Sequence, residues 1–132
     1  MSTRTDRAAQ IVESITDALH EIHLYADQVT VTTDPDKVDK RGAGQHGIVL
    51  VHPAPKFTFP AGGVTRLEWT IYVLSKPGDT LTAFATVDPI LDALIARLAG
   101  FQAADPGEYE TADDLSPAFP GYVVTLQDDF YN

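Results

Sequence analysis

The chain lacks cysteine altogether and carries one tryptophan and one methionine. Without thiols there are no disulfides, thiolate metal sites or cysteine nucleophiles, and the redox compartment is left undetermined. Long apolar runs are missing as well. Nothing in the sequence approaches the roughly 20 residues that span a bilayer, so no membrane segment is expected. The N-terminal M-S-T-R-T-D-R leads directly into a helical pattern, with no apolar signal core. The expectation is a product made in the cytoplasm without its own export signal.

Positive charge is absent from one whole region. Residues 1–100 hold twelve acids and nine bases, whereas residues 101–132 hold seven acids and no Lys or Arg, which brings the chain to −10. Such a surface repels phosphates and disfavours direct recognition of nucleic acid. It suits plain solubility, an acidic face that pairs with a basic partner, or the lining of a passage that DNA must cross without adhering. Apolar residues make up 44% of the 132 and charged residues 21%, enough for one domain with a real core.

What is present is led by V-T-R-L-E-W-T-I-Y-V-L-S at Val64–Ser75. Leu67, Trp69, Ile71 and Val73 alternate with Glu68, Thr70 and Tyr72, which predicts a long strand in an antiparallel sheet covered on one side. Trp69 falls on the apolar face and reads as core. Ala8, Ile11, Val12, Ile15, Leu19 and Ile22 form one helical stripe, which predicts a helix over 4–25. Leu81, Phe84, Val87, Leu91, Leu94, Ile95 and Leu98 keep the same spacing across Pro89. That favours one helix over 80–99, kinked at Pro89, over a second helix starting there.

Shorter strands are expected at 28–33, at 48–52 (a continuous apolar run buried on both faces), at the Phe57–Phe59 edge segment, at 108–111 and at 122–127. Pro53, Pro55 and Pro60 punctuate the middle of the chain. Asp105-Pro106-Gly107 and Ser116–Gly121 read as turn and rigid connection. The sum is a single α+β domain over residues 1–132, with a mainly antiparallel sheet of about four to five strands packed against two helices. Its expected order is α-β-β-β-α-β-β, with a mobile loop at 34–47 and a flexible end at 128–132.

Sites of chemistry are scarce. His20 and His23 lie three apart near a helix end, and His46 and His52 flank a strand, but these spacings match no zinc pattern. Phosphate-loop, dinucleotide, nucleophile-elbow and metalloprotease motifs are absent. The carboxylate pairs Asp113/Asp114 and Asp128/Asp129 sit in expected loops, where acids are solvated rather than poised for proton transfer. No catalytic residue, cofactor or metal site is expected. The residues singled out are candidates for contact with other proteins. Lys37, Lys40 and Arg41 form the basic part of the loop, Asp113 and Asp114 belong to the acidic quarter, and Phe57, Phe59, Phe130 and Tyr131 are aromatics beside proline-rich or terminal segments.

The layout as a whole resembles the tail terminator proteins of long-tailed bacteriophages. The likeness runs over most of residues 5–128. It rests on a leading amphipathic helix, I-V-L-V-H-P-A-P, L-E-W-T-I-Y-V-L-S, V-D-P-I-L-D-A-L-I-A-R-L and a closing Y-V-V-T-L strand. The resemblance implies a virion protein at the head-proximal end of the tail. It would assemble as a hexameric ring on the tail tube, stop tube growth and present a surface to head-completion or connector proteins, with DNA passing through unread. The alternatives are another head–tail joining protein of the neck, or a small ligand-binding α+β domain marked by a deep apolar pocket.

Overall fold

A computed structural model describes residues 3–25, 28–34, 47–53, 55–75, 80–98, 101–109 and 119–131. The order is α1 (Thr3–Glu21), β1 (Val29–Thr32), β2 (Gly47–Val51), β3 (Lys56–Ala61), β4 (Val64–Leu74), α2 (Thr80–Arg97), β5 (Phe101–Tyr109) and β6 (Phe119–Tyr131). This is the expected α+β class, with a six-stranded sheet in which, among the described residues, the only parallel pair is β1 with β2. The extra strand arises because the Phe57–Phe59 segment extends to a full strand, so four strands separate the helices.

The strand order is β1-β2-β4-β6-β5, with β3 also paired to β4. β2 and β3 share one flank of β4, β2 beside Ile71–Leu74 and β3 beside Val64–Glu68. They are in effect one long strand broken at Pro53 and Pro55, where proline cannot donate to the ladder. The His52 N–H still reaches the Thr70 carbonyl at 2.9 Å across that break. The other flank of β4 is paired along its whole length with β6.

Both helices lie on the face of β4 that carries Leu67, Trp69, Ile71 and Val73. Ile11, Ile15 and Leu19 from α1 and Val87, Ile90, Leu91 and Leu94 from α2 join Val49, Val51, Val124 and Leu126 in one core. Burial of each such side chain contributes about 1.5–3 kcal/mol. The opposite face carries a smaller buried cluster of Ile48, Leu50, Leu74 and Phe119, with Tyr72 against it. Every residue of β2 is therefore buried, as its unbroken apolar run predicts. The Trp69 indole N–H is enclosed in the core and has no acceptor among the described residues.

α1 ends at Glu21, four residues short of the expected end at 25, through a C-terminal cap in which Leu24 N–H bonds to Leu19 O at 2.9 Å and His23 N–H to His20 O at 3.0 Å. His23 holds the left-handed conformation (φ 62°) that this cap demands and that glycine ordinarily supplies. Ile22, expected on the buried stripe, lies in this turn and is exposed. α2 runs as one helix through Pro89.

Two sequence-based assignments in the tail are corrected. Asp105-Pro106-Gly107 lies inside β5 and pairs with Val123, Tyr122 and Gly121. β5 is the outermost strand, the place where proline is tolerated. Phe119-Pro120-Gly121 opens β6 rather than linking to it. The expected flexible end at 128–132 is also overturned for its described part, since Asp128–Tyr131 complete β6 against Leu67–Val64.

Glycine is required where neighbouring strands close on the end of β4. A methyl group on Gly121 would overlap the Val73 carbonyl oxygen, and one on Gly47 (φ 144°) would overlap that of Leu74. By contrast, nothing lies near the missing side chain of Gly62. Urea denaturation followed by far-ultraviolet circular dichroism is expected to show Gly121→Ala destabilised by about 3 kcal/mol or more. His23→Gly should gain about 1 kcal/mol by relieving its backbone strain.

Candidate contact surface

The part of the sheet around Val64–Glu68 is a ribbon of β3, β4 and the end of β6. Ala61 and Val64 pair across a two-residue turn, Gly62-Gly63, in which Gly63 has φ 76°. β3 carries no fully buried residue. Phe59 is 74% exposed and Phe57 44% exposed, the latter in register with Leu67. Pro60 sits in this outer strand, where its missing N–H disturbs no interior ladder. On the other flank of β4, Phe130 pairs with Thr65 and Tyr131 with Val64. The structure thus gathers four of the nine sequence-predicted contact residues at one end of the sheet. Lys37, Lys40, Arg41, Asp113 and Asp114 lie outside the described residues, as does residues 35–46 of the expected loop.

Charge pairs hold this end in place. Asp129 receives a bidentate bond from Arg66, Nε to Oδ1 at 2.8 Å and an Nη to Oδ2 at 3.1 Å, directly across the β4–β6 ladder. Asp128, one residue back and on the helix face, accepts from Nε of Arg7 near the start of α1. Two acids of the base-free last quarter are thereby neutralised by bases from the first hundred residues. The hydrogen bond from Arg66, reinforced by its charge and opposed by burial, holds the Asp129 carboxyl below its ordinary value.

A second exposed surface lies on α2. Leu81, Ala85, Asp88, Asp92 and Ile95 follow one another at four- and three-residue steps, and all five are exposed. Leu81 is 80% and Ile95 48% exposed, although both match the spacing of the buried stripe. The missed signal was the pair of acids in their own row, since Asp88 and Asp92 mark that side as wet. Tyr122 of β6 stands edge-on to Phe84, ring centroids 5.1 Å apart. Its phenol is pushed above its ordinary value, chiefly by hydrogen bonding to Asp88, then by burial and by the charges of Asp88 and Asp92.

Of the described histidines, His20 and His23 both reach Tyr25. His20 stacks at a tilt on Tyr25, with centroids 5.1 Å apart. His23 belongs to the α1 cap, His52 lies at the β2–β3 break, and His46 is outside the described residues. Among the described residues no three His, Asp or Glu side chains are grouped to hold a metal ion, and no helix is long and apolar enough to cross a membrane. An open groove of about 460 Å³ beside α1 and β1 is lined by Ala8, Ala9, Val12, Val31, Thr32, Thr33 and Pro53, with no titratable side chain. A smaller pocket of about 90 Å³ includes His20 and Tyr25 without a carboxylate.

Comparison with protein-family models, curated proteins and solved structures gave no match. The surfaces are therefore read from their own geometry.

The Arg66–Asp129 pair makes the ribbon sensitive to acid. Because the folded carboxyl titrates below the unfolded one, the pairing stabilises above the ordinary value of 3.8 and is lost as pH falls through the lower folded value. Hydrogen exchange corrected for intrinsic rates is expected to show the Thr65–Leu67 amides losing protection on such acidification. In Asp129→Asn most of that change disappears, because protection is already reduced at neutral pH.

Proposed function

We propose that this protein is a structural subunit of a bacteriophage tail, forming a ring that caps the tail tube, halts its elongation and offers the joining surface for the head. The observation that carries this reading is the ribbon. A well-packed helix-backed sheet extends into an outer strand whose phenylalanines stay exposed, an arrangement that stabilises contact with another protein better than it stabilises the lone subunit. The layout of elements, shared in outline with tail terminators, supplies the assembly; the ring is hexameric on that reading. The strongly acidic composition suits a passage through which DNA slides without being held.

Mass measurement in solution and electron microscopy with the cognate tail tubes test this. The expected result is a closed ring seated at the tube end, and overlong tubes when the protein is omitted. A compact monomer that joins neither itself nor tubes would overturn the reading. Rings that bind portal complexes but not tubes would move the protein to the neck.

A further inference from the structure

Three strands of the sheet pair with a single described neighbour: β1 with β2, β3 with β4 and β5 with β6. An unpaired strand edge is a template on which another chain can add. β1 is only four residues long, and β3 is interrupted by an irregularity between Thr58 and Ala61 that holds Pro60. β5 is nine residues long and carries Pro106 near its centre. Asp105 and Pro106 are exposed, so the chain does not cover the edge there.

Which way the Pro106 backbone faces follows from two hydrogen bonds. Ser75 N–H bonds to Pro120 O at 2.8 Å, so the backbone groups of Pro120 face β4. In an antiparallel ladder these groups alternate from one flank to the other along a strand. Tyr122 therefore also faces β4, where it pairs with Val73, while Gly121 and Val123 face β5. The bond from His52 N–H to Thr70 O gives the same phase, because it turns Thr70 away from β6 and leaves Ile71 and Val73 toward it. On β5, Gly107 and Asp105 pair with Gly121 and Val123 and so face inward, whereas the backbones of Ala104, Pro106 and Glu108 face outward. The N–H that proline lacks is thus one that would have met an incoming strand. The ladder with β6 loses nothing by its absence.

We infer that Pro106 closes the β5 edge to strand addition, and that the strand it excludes is β5 of a second copy. Two such edges are identical and would join about a two-fold axis. An antiparallel pair centred on residue 106 would exchange both N–H···O bonds there and two more on each side, between 104 and 108. With proline at the centre both central bonds are missing. Contacts with other proteins are left to side-chain surfaces, and the sheet does not grow past β5.

The test compares the full-length wild type with Pro106→Thr, which restores the N–H, by sedimentation velocity in about 0.5 M salt to screen the acids. Thermal melts confirm that the variant folds. Pro106→Thr should form a species of twice the wild-type mass, at a concentration at least roughly tenfold below any at which the wild type does so. Adding Glu108→Pro, which removes the next outward N–H, should abolish that species, although it also takes an acid from the strand. In the wild type itself, which needs no variant to fold, the Glu108 amide should exchange near its intrinsic rate while the Gly107 amide is protected. An unchanged mass for Pro106→Thr, a doubled species that survives Glu108→Pro, or equal exchange at Glu108 and Gly107 would each overturn the inference. None of these outcomes depends on whether the wild type forms rings on tail tubes.

Discussion

Everything in this molecule depends on the ladder between β4 and β6. Eleven residues of β4 pair without interruption with eleven of β6, from Val64–Tyr131 to Leu74–Gly121. That ladder carries the central core row on one face and the Arg66–Asp129 clasp on the other. At its far end it draws the strands so close that Gly121 and Gly47 have no room for a side chain. Trp69 sits midway along it, where the volume of the indole fills the space between sheet and helices.

The charge distribution takes its meaning from the same ladder. In sequence the last quarter is a block of acid with nothing to balance it. In space, register brings Asp129 opposite Arg66, and α1 brings Arg7 to Asp128. The ribbon end is thus locally neutral in an acidic molecule, while the outer row of α2 keeps its acids exposed.

The parts of the fold governed by local periodicity were legible in the sequence. β4 and β2 followed from alternation and from an unbroken apolar run, and the inner rows of α1 and α2 from helical spacing. What was not legible depends on partners distant in the chain. Asp105-Pro106-Gly107 has every mark of a turn, yet lies in an outermost strand where proline breaks no interior bond. Asp128–Tyr131 looked loose because the residues that fasten it are more than sixty positions away. Leu81 and Ile95 satisfied a helical stripe, but the helix exposes the row they share with Asp88 and Asp92. The exposure of Phe57 and Phe59 was readable from their prolines; that of the outer α2 row was not, because spacing alone does not say which side of a helix meets the sheet.

The position of β6 has a consequence for how the protein comes into being. It follows every other strand in the chain, yet stands inside the sheet, between β4 and β5. During synthesis on the ribosome the long flank of β4 has no neighbour until β6 has emerged from the exit tunnel. The nascent chain therefore holds the long flank of β4 as an unpaired strand edge until late in synthesis.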